Sequence, residues 1–226
     1  MSKHSPITLP KEKSLYHLNG WLSALLPNGA RSHLSLVKDF QDNLYQTEEE
    51  LLSGTSTARR REFVAGRTLS RFLLADLGCP SQPVLRGYDG MPIWPDGYCG
   101  SITHKQGLCG AIVAKSEALA SVGLDLEFNQ PLTESVWKNF INEDELEDSP
   151  SFDWKANILF SCKEAAFKCL SSSGMNSANI PLREILVTFS EDSNKGFAVA
   201  CRFRGVVLHG RAIVDRRIVL SAVKMV

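Results

Sequence analysis

Towards its end the chain runs through a succession of short apolar stretches, residues 185–189, 197–203, 206–214 and 218–223, with turn residues between them. Runs of this length, each bounded by polar or turn-forming residues, are predicted to be strands of an antiparallel meander. A sheet of that kind has an apolar face that must be covered, so helices are expected beside it and the fold is mixed α/β, of the α+β kind. One helix is predicted over residues 57–77, capped by Ser56 or Thr57 and closed by Gly78 and Pro80. A second is predicted near residues 161–170. Between them, turn signals at Arg86-Gly87 and Trp94-Pro95-Asp96-Gly97 precede a strand at 110–114, and an alternating strand covers 122–127. The seam between two organised stretches falls near residues 115–125, with no low-complexity linker and no repeat visible at the level of residues.

With 226 residues, 43% of them hydrophobic, the chain has material for a full core. Its 25 basic and 25 acidic residues cancel, which argues against nucleic acid or an anionic membrane as the main partner and makes any anion site a local cluster. Met1 to Pro10 has no apolar segment behind its lysine, and no later stretch has the roughly 18 to 20 apolar residues of a spanning helix, so a cytoplasmic location is expected. The cysteines (Cys79, Cys99, Cys109, Cys162, Cys169, Cys201) lack CxxC spacing and secretory context, and are read as reduced thiols without a role.

Chemistry concentrates in three places. On the 57–77 helix, Arg67 lies about 20° from Arg60 and Arg71 about 40° from Arg67, so the three share a face opposite Leu69, Phe72, Leu73 and Leu77. Guanidinium forks fit phosphate oxygens, although ion pairing with nearby acids explains such a stripe equally. Gly100-Ser101-Ile102-Thr103-His104 packs a glycine, two hydroxyls and an imidazole at the mouth of the 110–114 strand, suited either to a phosphate or to a turn with satisfied polar groups. Finally, Asp125 and Glu127 are expected on one face of an extended strand about 7 Å apart, with Leu124 and Leu126 in the core. Glu164 and Lys168 stack four residues apart on the second helix. Oxygen ligands of this kind suit Mg²⁺, while Ser161-x-x-Glu164 also reads as a capping box and Glu164–Lys168 as an ordinary helical ion pair.

The order of these pieces, from Arg60-Arg61-Glu62-Phe63-Val64-Ala65-Gly66-Arg67 through Gly90-x-Pro92-x-Trp94-Pro95-x-Gly97, Gly100 to His104, Gly123-Leu124-Asp125-Leu126-Glu127 and Phe160-Ser161-Cys162-Lys163-Glu164-Ala165-Ala166-Phe167-Lys168, resembles the 4'-phosphopantetheinyl transferase superfamily. Within it the likeness is to the enterobactin-synthetase-component type, which serves siderophore, polyketide and lipid pathways. It covers about residues 59–168. The resemblance implies a monomer of two similar α/β halves related by a pseudo-twofold, here 1–118 and 119–226, with coenzyme A and Mg²⁺, or Mn²⁺ in its place, in the cleft between them. It makes Asp125, Glu127 and Glu164 the metal ligands and puts Lys163 and Lys168 near the pyrophosphate. It sets Arg60, Arg67, Arg86, Thr103 and His104 on the adenosine 3'-phosphate and neighbouring parts of coenzyme A. Arg71 is added from the helical stripe alone. Lys105, after the histidine, and Cys162 depart from the family pattern.

The implied reaction moves phosphopantetheine from coenzyme A to a serine of an apo acyl or peptidyl carrier protein, releasing 3',5'-adenosine bisphosphate, with Asp125, Glu164 and Lys168 as catalytic residues. The base is either Glu164 or a metal-bound water near Glu127. Trp137, Phe140 and Ile141 are expected either to receive the carrier's helix or to be buried. Two alternatives belong to other classes: a Mg²⁺-dependent enzyme acting on another nucleotide pyrophosphate, and a non-catalytic coenzyme A binding module.

Overall fold

The computed structural model describes residues 12–130, 132–142, 145, 152–192, 196–215 and 217–225. Helix α1 (Glu12–Ala24) leads into strand β1 (Ala30–Leu36); a short helix α2 (Gln46–Glu49) precedes the long α3 (Thr57–Asp76). A small hairpin, β2 (Leu85–Arg86) and β3 (Pro92–Ile93), is followed by β4 (Tyr98–Lys105), β5 (Leu108–Lys115) and β6 (Ser121–Phe128). Then come α4 (Glu134–Trp137), α5 (Phe152–Ser172), β7 (Leu186–Asp192), β8 (Gly196–Phe203), β9 (Val206–Val214) and β10 (Ile218–Met225).

Every sheet is antiparallel. The first has strand order β1-β5-β4 and the second β6-β10-β9-β8-β7, so the expected meander is present, with β10 inserted between β6 and β9. In each half a long helix covers a sheet. Ala65 and Leu69 of α3 meet Cys109 and Ala111 of β5, while Ala165, Ala166 and Cys169 of α5 meet Val199, Ala212, Val219 and Val223. A third core belongs to both halves, joining Leu15, Leu18 and Leu22 of α1 to Leu34, Ile112, Leu124, Leu126 and Leu220.

No ladder joins β4 to β6 among the described residues. Side chains join them instead. Ser101 Oγ accepts from the Leu124 amide at 3.0 Å, and Thr103 Oγ1 accepts from the Leu126 amide at 3.2 Å. Buried edge amides need partners, and hydroxyls at alternate positions of β4 supply them. The Gly-Ser-Ile-Thr-His segment is therefore strand, which removes the turn among its two readings.

Helix α3 begins as expected: the Ser56 side chain accepts from the Arg59 amide. Helix α5 starts nine residues before Ser161, which lies fully buried in its interior, so the capping-box reading of Ser161 and Glu164 fails. Nor does α3 keep its apolar and cationic faces apart: Phe72 is 65% exposed and Arg67 only 5%. Helix α1 and strand β1 were not anticipated, because their apolar residues are too sparse to stand out. Trp137, Phe140 and Ile141 are buried in the core under α5, with Phe140 against Phe160 at 4.4 Å between ring centroids. That burial removes them as a docking surface for a carrier.

Candidate active site

Strand β6 sets the acids. Leu124 and Leu126 enter the shared core, so period-two alternation turns Gly123, Asp125 and Glu127 towards α5. The two elements approach closely at Gly123, where an added Cβ would lie 1.8 Å from the Ala165 carbonyl oxygen. That approach brings Lys168 onto Asp125: its Nζ donates to Asp125 Oδ1 at 2.7 Å and to the Leu124 carbonyl at 3.1 Å. Asp125 is 4% exposed, and its buried Oδ2 has no hydrogen-bond partner. Glu127 receives Lys105, with Nζ 2.5 Å from Oε2.

Burial raises the Glu127 carboxyl above its ordinary range, with Asp125 adding to the rise and Lys105 opposing it. Burial likewise raises Glu164, followed by repulsion from Asp125 and Glu127. Among the described residues no group of three or more His, Cys, Asp or Glu side chains is placed to hold a metal ion as it stands. An open, partial set of carboxylates is nonetheless what Mg²⁺ accepts, since it completes its shell with water and substrate phosphates, and the orphaned Asp125 oxygen fits a cation.

Beside the acids lies a cleft of about 160 Å³ between α3, the β2–β3 hairpin and β4. Arg59, Arg67, Arg86, His104 and Lys168 line it, and Glu62 is the only acid among the described residues that do. Arg67 is held at the back, with Nη2 donating to the Leu85 carbonyl at 3.2 Å and its guanidinium 4.4 Å from the Phe63 ring centroid. Burial pulls its pKa down to about 10, which leaves it charged at neutral pH. Arg86 Nη2 donates to the Leu51 carbonyl at 3.1 Å. His104 Nε2 accepts from Arg59 and its Nδ1 lies 3.4 Å from Glu62 Oε2, geometry that suits a neutral ring protonated at Nδ1. Burial lowers the His104 pKa, helped by Arg59 and Lys168 and opposed by Glu62.

The remaining sequence-predicted residues lie outside the cleft lining. Arg60 pairs with Glu49 and, at 2.5 Å, with Asp42, and Arg71 pairs with the fully buried Glu48. Both tie α3 to residues 42–49. Thr103 belongs to the β4–β6 seam. Lys163 is fully buried on another side of α5, its Nζ donating to Glu145 Oε2 at 2.7 Å. Glu145 Oε2 also accepts from the Asn142 amide at 2.9 Å, and Oε1 from the Val187 amide at 3.0 Å. Conversely, Arg59 and Glu145 were given no role from the sequence, and Lys105 stood out only as a departure from the family pattern. Arg59 could have been given one, since positions 59, 63, 66 and 67 fall along one stretch of helix surface.

A basic cleft that shares Lys168 with a buried carboxylate set has the charge and the donors to receive a phosphorylated ligand. The sequence model of the 4'-phosphopantetheinyl transferase N-terminal domain matches residues 47–114, and that of the 4'-phosphopantetheinyl transferase superfamily matches residues 121–215. The 4'-phosphopantetheinyl transferase PptT of Mycobacterium tuberculosis is 32% identical over 192 residues, 78% of this chain and 83% of that protein. The 4'-phosphopantetheinyl transferase Svp of Streptomyces mobaraensis is 36% identical over 65% of this chain and 63% of its own. Enterobactin synthase component D of Salmonella typhi is 28% identical over 62% of each chain. Among solved structures, the holo-[acyl-carrier-protein] synthase of Thermotoga maritima aligns over 48% of this chain and 65% of that one, with a TM-score of 0.33 at 18% identity, too loosely to bear on the fold.

The chain belongs to the 4'-phosphopantetheinyl transferase superfamily. It is an enzyme that transfers phosphopantetheine from coenzyme A to carrier proteins.

Proposed function

We propose that the cleft takes the phosphates of coenzyme A on Arg59, Arg67, Arg86, His104 and Lys168, and that Asp125, Glu127 and Glu164 hold Mg²⁺ beside its pyrophosphate. The observation that carries this reading is Lys168, which lines the basic cleft and bonds Asp125 at 2.7 Å, so one ammonium belongs to both sites. The first half, 1–118, then supplies the 3'-phosphate contacts and the second, 119–226, the metal and pyrophosphate contacts.

When bound, the ion neutralises the charge that builds on the pyrophosphate oxygens. The chain's own groups do the rest. Arg67 is preorganised by Phe63 and the Leu85 carbonyl, so little is lost in fixing it against a phosphate. Lys168 sits where negative charge develops on the departing 3',5'-adenosine bisphosphate. Glu164, or a water held near Glu127, would take the proton of the carrier serine as it attacks the β-phosphorus. Arg60, Arg71 and Lys163 act indirectly, by bracing α3 and α5. In this reading the enzyme works as a cytoplasmic monomer; no described helix is long and apolar enough to cross a membrane.

The test is to incubate the protein with coenzyme A, Mg²⁺ and a panel of apo acyl and peptidyl carrier proteins, and to follow carrier mass. A gain of one phosphopantetheine, lost in Asp125→Ala and with a chelator, is expected. A gain that survives both controls would sink the metal assignment.

A further inference from the structure

Ser101, Thr103 and Lys105 occupy alternate positions of β4, and all three reach across to β6. The two hydroxyls take the Leu124 and Leu126 amides, and the ammonium takes the Glu127 carboxylate. Lys105 is thus the third tooth of the seam. Its backbone is fixed, because it pairs with Leu108 in the ladder and is followed by a tight turn with positive φ at Gln106 and Gly107. The pair is shielded: the Glu127 side chain is 15% exposed and that of Lys105 35%. A charge-assisted bond at 2.5 Å in such a place is stronger than one between freely solvated side chains.

We propose that Lys105 competes with the divalent cation for Glu127, holding the carboxylate while the metal is away and leaving it when the metal binds. This rests on the metal reading above. Loading is then an exchange of one cation for another, and the apparent affinity is the intrinsic affinity reduced by the fraction of Glu127 that is free. If the pair is formed nine-tenths of the time, the reduction is about tenfold. The cleft cations do not share this role: Arg59, Arg67 and Arg86 bond histidine or backbone carbonyls rather than these acids. Lys168 holds Asp125, but it also lines the cleft, where a phosphate can receive it. Lys105 is not among the cleft-lining residues.

The experiment is calorimetric titration of the full chain with Mg²⁺ and with Mn²⁺, without coenzyme A, for wild type, Lys105→Met and Glu127→Gln. Thermal melts establish that each variant is folded. Lys105→Met is expected to bind either ion about 3- to 10-fold more tightly, and to keep that gain at high salt, where a distant charge would be screened. Unchanged or weaker binding overturns the proposal. A gain confined to low salt does so too, because it reports only the field of a removed charge. So does a Lys105→Met variant whose sole defect is a raised KM for coenzyme A, which would make Lys105 a substrate contact. The Glu127→Gln arm separates the two readings. If it binds metal as wild type does, the metal site itself is misplaced; if it loses metal while Lys105→Met matches wild type, only the competition fails.

Discussion

Lys163 and Lys168 stand five residues apart on α5 and have different fates. Lys168 lies between Asp125 and the cleft, and its replacement by Ala is expected to lower kcat/KM by about a hundredfold or more in the carrier-mass assay, and to lower stability as well because it strands the buried Asp125 carboxylate. Lys163 is sealed against Glu145. Lys163→Met alone is expected to lower stability by about 3 to 5 kcal/mol in denaturant unfolding, since it strands a buried carboxylate. Adding Glu145→Leu should recover much of the loss, whereas a lysine that touched the pyrophosphate would not be rescued. His104 gives a pH test. Its folded pKa is lowered, so as pH falls through the unfolded value near 6.5 the unfolded chain takes up a proton that the folded one refuses, and stability is lost. His104→Gln should flatten the acid limb of a stability-versus-pH curve just below that point. The thiols offer a simpler check. Burial pushes Cys109 and Cys162 up to about 12, so neither should react with a thiol reagent at pH 8 until the chain is unfolded.

Strands and helices with strong periodicity were legible in the sequence, and the site was legible only in part. The β6 alternation placed Asp125 and Glu127 on one face, and that face does turn to α5, because a period of two leaves no other choice once Leu124 and Leu126 are buried. The arginine stripe divides between its two readings for a physical reason. Helical angles say which side chains share a face, but not what a later hairpin will lay over it, and β2–β3 covers Arg67 while the 42–49 segment takes Arg60 and Arg71. The hydroxyls of Ser101 and Thr103 suited a phosphate or a turn equally in the sequence, whereas in the fold they replace a missing ladder. Close packing between elements is also invisible to periodicity. Gly123→Ala would drive a methyl into the Ala165 carbonyl, and a loss of about 3 kcal/mol or more is expected in thermal or denaturant unfolding, with activity falling alongside. Phe140→Ala should cost about 3 to 5 kcal/mol through the cavity it leaves, and not act on the KM for the carrier beyond the loss of folded protein.

At the scale of the molecule, the halves share a core that runs from α1 through β5 to β6 and β10, so they should not unfold separately. Calorimetry is expected to give one transition, with equal calorimetric and van't Hoff enthalpies; two resolved transitions would contradict the shared core. The strand order has a further consequence for synthesis. Among the described residues β6 has a ladder partner only in β10, roughly a hundred positions later, and β9 likewise pairs with β10 on one side. While the ribosome is still making the intervening stretch, the strand that carries Asp125 and Glu127 has an unpaired edge and a core still lacking Ile218, Leu220 and Ala222. The nascent chain must therefore wait, exposed, for residues 218–225 to leave the exit tunnel, and this is the interval in which a chaperone or a lower growth temperature would most improve the yield of active protein.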